Sequence, residues 1–302
     1  MTGRLAEQPS AVRAEQVERK TNVTRRGFLL GSGAVAAGMA FYSGEIARHE
    51  ISVVTRPIAI NNLPAAFQNF RIVQISDIHY EEYAEPSFVA RVIGQVNALA
   101  PDLVVLTGDY VSFGPLGRSF ALGAMERCAE QLSHVACARR YAVMGNHDSV
   151  LGAPTIRPIL AAVGIPLLVN EHVPIERGGE RLWLSGIHDP VTHVPNLETA
   201  IPERPDGPVL LMSHGPDYAD EVLVHPRGRL VDLMISGHTH GGQVRIPFVP
   251  PVHLPEGGRK YIEGLFRFGR MQLYVNRGIG TTGLPLRLNC PPEITLMTLQ
   301  SS

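Results

Sequence analysis

Cysteine and net charge are both scarce in this chain. Its 302 residues include three cysteines, Cys128, Cys137 and Cys290. None forms a CxxC pair, which excludes a zinc ribbon and a disulfide scaffold. The 27 basic and 28 acidic side chains leave a formal charge of −1. There is no basic stripe and no array of stacking aromatics, so no nucleic-acid partner is expected. Internal repeats and low-complexity tracts are missing too, which excludes solenoids and biased linkers. What is left, 44% hydrophobic and 18% charged, suits one large globular domain or two ordinary ones.

The first 45 residues differ in kind from the rest. Arg4, Arg13, Arg19, Lys20, Arg25 and Arg26 outweigh Glu7, Glu15 and Glu18, so residues 1–26 carry +3. An uncharged stretch follows at 27–42. It is shorter than the ~20 residues a membrane span prefers. A positive region followed by an apolar one is a signal-peptide pattern. Thr24-Arg25-Arg26-Gly27-Phe28-Leu29 resembles a twin-arginine export signal. Residues 1–45 are therefore expected to be such a signal or an N-terminal membrane anchor, and 46–302 the working domain. The expected partner is the twin-arginine export machinery. The expected location is across the inner membrane, periplasmic or anchored facing outward.

From residue 51 onward, short apolar runs alternate with helical patterns. Strands are predicted over 51–60, 70–75, 103–106, 141–144, 166–170, 181–187, 208–212, 231–235, 272–275 and 293–299. Helices are predicted over 86–100, 118–132 and 155–163, the first opening on Pro86. The strands at 166–170 and 181–187 are expected to pair through a turn at Gly178-Gly179. The alternation argues for an α/β fold with a largely buried sheet.

Five of these strands end in a Gly or Ser step followed by His, Asp or Asn. They give Asp77 and His79, Asp109, Asn146, His214, and His238 and His240. In α/β sheets, ligands bind outside the carboxyl ends of strands. His238 and His240 lie two apart, so an extended backbone would aim both at one point, and the same holds for Asp77 and His79. Two exposed loop histidines are the bland alternative for His238 and His240 taken alone. The set offers imidazoles, two carboxylates and one amide oxygen, without thiolate. One zinc ion takes about four ligands, so this set suits two ions sharing a carboxylate. A mixed N/O set fits Mn, Fe or Zn. Two such ions clamp the attacking and leaving oxygens of an in-line displacement at phosphorus.

Ser76-Asp77-Ile78-His79, Gly108-Asp109, Gly145-Asn146-His147-Asp148, Ser213-His214 and Gly237-His238-Thr239-His240 resemble, in order, the five motifs of the calcineurin-like metallophosphoesterases. The resemblance covers about residues 50–300. It implies two mixed β-sheets packed as a sandwich and flanked by helices, a four-layer α/β/β/α fold. It also implies that Asp77, His79 and His240 hold a first divalent ion and Asn146, His214 and His238 a second. Asp109 and a hydroxide would bridge them, the hydroxide attacking a phosphodiester or phosphoanhydride. His147 would face the leaving oxygen as general acid or charge stabiliser. Manganese is the expected metal, with iron or zinc as alternatives. The substrate is a phosphate ester, in one reading lipid-linked at a membrane surface.

Gly237 to Pro247 and the stretch from Arg277 to Ile294 look most like a bacterial branch of exported or membrane-anchored phosphoesterases. That branch includes members similar to UDP-2,3-diacylglucosamine pyrophosphatase of lipid A metabolism. A UDP-lipid faces the cytoplasm while the signal points outward, so a generic envelope phosphodiester is the preferred expectation. The alternative from another class is an envelope protein that binds metal without turnover. Several residues keep two readings. Arg245, Arg277 and Arg287 either bind the substrate's far end or form surface ion pairs. The Pro-rich loop 247–270 is either a lid or lipid-facing lip, or it packs on the sheet. Asp148 either orients His147 or caps a helix. Cys128 and Cys137 either pair or stay free.

Overall fold

A computed structural model describes residues 24–251 and 253–302. The predicted leader's Arg4, Arg13, Arg19, Lys20, Glu7, Glu15 and Glu18 lie outside the described residues. The chain divides into two units, 1–39 and 40–302. A helix, α1 (Arg25–Phe41), buries none of its residues. Helical geometry runs on to His49. These 25 residues are long and apolar enough to cross a membrane, a test that signal sequences also pass.

The larger unit holds eleven strands: β1 (Ser52–Ile60), β2 (Arg71–Ile75), β3 (Leu103–Leu106), β4 (Arg140–Ala142), β5 (Glu171–Arg177), β6 (Glu180–Gly186), β7 (Val209–Met212), β8 (Val231–Ser236), β9 (Gly264–Phe268), β10 (Met271–Val275) and β11 (Glu293–Ser301). Its helices are α2 (Pro86–Ala98), α3 (Gly117–Ser133), α4 (Ala153–Ala162), α5 (Leu197–Ala200) and α6 (Ala219–Val224). One sheet has the order β1-β11-β2-β3-β4 and the other β5-β6-β7-β8-β10-β9. Both are mixed. β2, β3 and β4 run parallel in the first, and β6, β7, β8 and β10 in the second.

The period-2 alternation of each strand sorts its side chains into layers. Ile72, Leu103 and Val105 meet Leu210, Met212, Leu233 and Ile235 between the sheets. Their neighbours Val73, Ile75, Val104 and Leu106 point the other way, onto Phe88 and Val92 of α2, Met125 of α3 and Leu160 of α4. On the far side of the second sheet, Val209, Leu211 and Met234 pack with Leu197 of α5 and Val222 of α6. The result is the expected four-layer α/β/β/α arrangement. Each such side chain contributes about 2 kcal/mol of burial. Strands buried on both faces can therefore carry strained, polar ends. Gln74 ties the sheets together directly beneath those ends. Its Nε2 donates to Thr107 Oγ1 (2.9 Å) and to the Ser236 carbonyl (2.8 Å).

Two predicted elements are corrected. Residues 166–170 form no strand; Leu167 makes a single bridge to Ala142. The hairpin around Gly178-Gly179 is instead β5 with β6, because Val173 and Ile175 supply the inward face of its first strand. The Pro-rich loop 247–270 contains β9, antiparallel to β10. Tyr261 stacks edge-on with Phe266 and Phe268, so this part of the loop packs onto the sheet. The start of the loop is open, with Phe248 and Val249 exposed. Cys128, Cys137 and Cys290 are all free.

Candidate metal centre

The parallel strands β2, β3 and β4 of one sheet and β7 and β8 of the other all end on the same edge of the sandwich, and the predicted residues follow those ends. The structure brings them together in two groups. Asp77, His79 and His240 form one; Asp109, His214 and His238 form the other. All six are buried. Asn146 joins the second, its Oδ1 3.2 Å from His214 Nε2. Asp109 stands between the groups, with Oδ2 3.2 Å from His214 Nε2 and 3.7 Å from His79 Nε2.

The route to this convergence differs from the expected one. An extended backbone was to aim residues i and i+2 at one point. Instead Asp77, His79, Asp109, His238 and His240 all adopt positive φ, between 48° and 74°. For residues with a Cβ this conformation costs about 1 kcal/mol or more each. Hydrogen bonds hold it in place. Asp77 N–H donates to the Gly108 carbonyl (3.0 Å), and Gly280 N–H donates to the Asp77 carbonyl (2.7 Å). Both Asp77 carboxylate oxygens accept from His238 N–H at 3.0 Å. Glycine is required where the turns touch. A Cβ on Gly237 would lie 1.9 Å from Ser76 Oγ, and one on Gly145 would lie 2.1 Å from Asp109 Oδ1.

The hydrogen bonds also assign the ring protons. His214 Nδ1 faces the Thr107 carbonyl at 2.7 Å, and His238 Nε2 faces the Glu256 carbonyl at 2.7 Å. A carbonyl only accepts, so each outer nitrogen donates; the inner nitrogen of neutral His238 keeps its lone pair, while that of His214 faces Asp109 Oδ2. Those inner nitrogens lie 3.1 Å apart. His79 Nδ1 is held by Ser112 Oγ at 3.0 Å, and its Nε2 sits 3.1 Å from His240 Nε2. Imidazole nitrogens and carboxylate oxygens thus converge in two tight groups, each within reach of one cation. Outer nitrogens bonded to acceptors are the usual support of metal-ligating histidine. The donor set fits two divalent cations.

Burial pushes His79 down to about 3 and His238 down to about 4, and it also pushes His240 well below its ordinary value. These imidazoles are neutral and ready to ligate at neutral pH. Burial opposes ionisation of Asp109, but adjacent His214 holds its carboxyl well below the usual range. Burial opposes protonation of His214 in turn, and Asp109 holds it well above. Burial raises Asp77 to about 6, with His214 opposing.

His147 takes a different place. Its N–H donates to Asp109 Oδ1 (2.9 Å), and its ring lines a cleft of about 460 Å³ that opens beside both groups. Sequence reasoning left the rest of that cleft unread. Val244, Pro255, Leu284 and Leu286 form an apolar wall, with Gln243 and Thr282 beside it. The signal lay in the 277–294 stretch, but its side chains had no assigned direction. Asp148 neither orients His147 nor merely caps a turn. Its carboxylate accepts from the N–H groups of Asp109 (2.8 Å), Tyr110 (2.9 Å) and Gly145 (2.9 Å), which locks the loops after β3 and β4 together. The three arginines are not in the cleft lining. Arg245 pairs with Glu263, Arg277 with Glu293, and Arg287 is fully buried.

Residues 70–242 match the family described as calcineurin-like phosphoesterase. The chain is 32% identical over 290 residues to the metallophosphoesterase YkuE of Bacillus subtilis (strain 168), covering 93% of this chain and 99% of that one. It is 33% identical over 241 residues to phosphodiesterase YaeI of Escherichia coli (strain K12), covering 76% and 82%. Among solved structures, the NAD nucleotidase NadN of Haemophilus influenzae aligns with a TM-score of 0.48 at 15% identity, over 70% of this chain and 50% of that one. By sequence and by the motifs at its strand ends, the chain belongs to the calcineurin-like phosphoesterase family.

Proposed function

We propose that this metallophosphoesterase hydrolyses a phosphodiester with one apolar arm, at the cell envelope, using two divalent ions, most naturally manganese. The observation that carries the reading is the juxtaposition of two parts. Asp77, His79, Asp109, Asn146, His214, His238 and His240 converge in two adjoining groups of metal-type ligand atoms. The cleft beside them has a wall of Val244, Pro255, Leu284 and Leu286. Asp77, His79 and His240 would hold one ion, Asn146, His214 and His238 the other, and Asp109 both. When bound, such a pair neutralises phosphate oxygens and makes hydroxide available at neutral pH.

The chain's own residues do the rest. The seven side chains would place the two ions, and through them the substrate phosphate, at the strand ends. His147 lines the cleft with Nδ1 already occupied, so Nε2–H is left to meet the leaving oxygen. The apolar wall excludes water from the leaving side and receives an acyl or alkyl arm. Turnover of a diester is favoured by the relative named a phosphodiesterase. Envelope location is supported by Arg25-Arg26 and by the apolar helix behind them.

Activity profiling tests the reading. The manganese-loaded domain is offered glycerophosphodiesters with and without acyl chains, UDP-linked lipids and nucleotides. Preference for the acylated diester is expected. Equal turnover of acylated and deacylated forms would remove the apolar arm from the account.

A further inference from the structure

Three of the four imidazoles at the centre present an acceptor to their outer nitrogen: Ser112 Oγ, the Thr107 carbonyl and the Glu256 carbonyl. The fourth, His240, does not. Its Nδ1 faces Nη2 of Arg287 at 3.5 Å. Arg287 is 0% exposed. Apart from His240, backbone carbonyls hold its guanidinium. Nε donates to Gly280 (3.0 Å), Nη1 to Cys290 (3.1 Å), and Nη2 to Arg277 (2.9 Å) and Gly278 (3.1 Å). Among the described residues it makes no ion pair. Arginine does not give up its proton in a protein, so a full positive charge sits directly behind one metal pocket.

The two pockets are unequal in another way. Asp77, His79 and His240 include a carboxylate of their own. Asn146, His214 and His238 include only a neutral amide. Apart from the shared Asp109, the first pocket is richer by one negative charge.

We propose that Arg287 is a positioning residue that offsets the Asp77 charge through His240 and holds down the cation affinity of the first pocket. This rests on the two-ion reading of the centre. Two effects act together. The guanidinium repels a cation in the pocket. It also takes the lone pair of His240 Nδ1, so in the metal-free protein the ring proton stands on Nε2, the nitrogen that faces His79. Ligation through Nε2 must move that proton to Nδ1, against the guanidinium. The carbonyl cage serves the same end. The loop that holds Arg287 is the one that cradles Asp77, where a Cβ on Gly278 would lie 2.6 Å from Asp77 Cβ.

The test is a manganese titration of the metal-stripped full chain, resolving two dissociation constants, for the native protein, Arg287→Met and Arg287→Lys. Partners behind ligating groups typically change metal affinity by about 10–100-fold. Arg287→Met is expected to tighten one constant by about that factor and leave the other unchanged. Arg287→Lys keeps the charge and is expected to behave as the native protein. Two unchanged constants in the Met variant, or a weakened one, would overturn the proposal. Where neither variant folds, ¹⁵N shifts of the native metal-free histidines decide it. The proposal requires the proton of His240 on Nε2, and a proton on Nδ1 overturns it. A native protein that saturates at one ion instead overturns the two-ion reading beneath it.

Discussion

The backbone N–H of Phe113 donates to Nδ1 of His147 at 2.8 Å. That bond separates His147 from His214 and His238, whose outer nitrogens face carbonyls. With Nδ1 accepting, a neutral ring carries its proton on Nε2, ready to donate. Replacing His147 by Ala is expected to lower turnover by about 10²–10⁴-fold on substrates with poor leaving groups. Bound metal should stay at the native level, measured by elemental analysis. The loss should shrink for p-nitrophenolate, which leaves without a proton. Loss of an ion in the variant would make His147 a ligand. An equal loss for good and poor leaving groups would mean that it stabilises phosphoryl charge instead.

Asp148 is the buried lock between the loops that carry Asp109 and Asn146. Asp148→Asn puts an amide among backbone N–H donors and leaves some of them unpaired. Burial and the neighbouring Asp109 raise the Asp148 carboxyl to about 8, so each of its several buried hydrogen bonds is worth about 0.5–1.5 kcal/mol. Urea unfolding of the metal-free variant should show a loss of about 3 kcal/mol, with weaker metal retention. Native stability with native metal content would remove Asp148 from the support of the site.

Metal loading should depend on pH. Asp77, raised to about 6 by burial, and His214, held well above its usual value beside Asp109, keep protons that cations must displace. His79 and His238 are too depressed to titrate in this range. Ligands bind only when deprotonated. The sign follows: affinity rises with pH from about 5 upward through neutrality, and loading near neutral pH releases protons. Calorimetric heats should therefore vary with the ionisation enthalpy of the buffer. Heats independent of buffer would contradict the assignment.

The proposed export rests on Arg25-Arg26. Replacing both by Lys should leave the full-length protein in the cytoplasm with its fold intact, read by fractionation and circular dichroism. A double variant that still reaches the envelope would rule out the twin-arginine route.

Much of this was legible in the chain. Short apolar runs such as 141–144 and 231–235 read as buried strands, and Gly-Asn-His-Asp and Gly-His-Thr-His mark their ends. What the sequence withholds depends on partners distant in the chain. β9 hides in a Pro-rich loop because its stability comes from β10 and from Tyr261 packing on Phe266 and Phe268. The burial of Arg287 is invisible because its partners are backbone carbonyls, which no residue type announces. The left-handed φ of Asp77 or His240 likewise follows from tertiary hydrogen bonds. Local propensity alone would have kept those residues extended.

In the proposed function, two cations held by the residues at five strand ends give this metallophosphoesterase its diester hydrolysis. Manganese titration of the metal-stripped protein, with bis-p-nitrophenyl phosphate hydrolysis followed at each addition, tests it most directly. The account requires hydrolysis to appear as the second equivalent binds, and Asp109→Asn to weaken both sites. Saturation at one ion per chain, or two bound ions without hydrolysis, would contradict it.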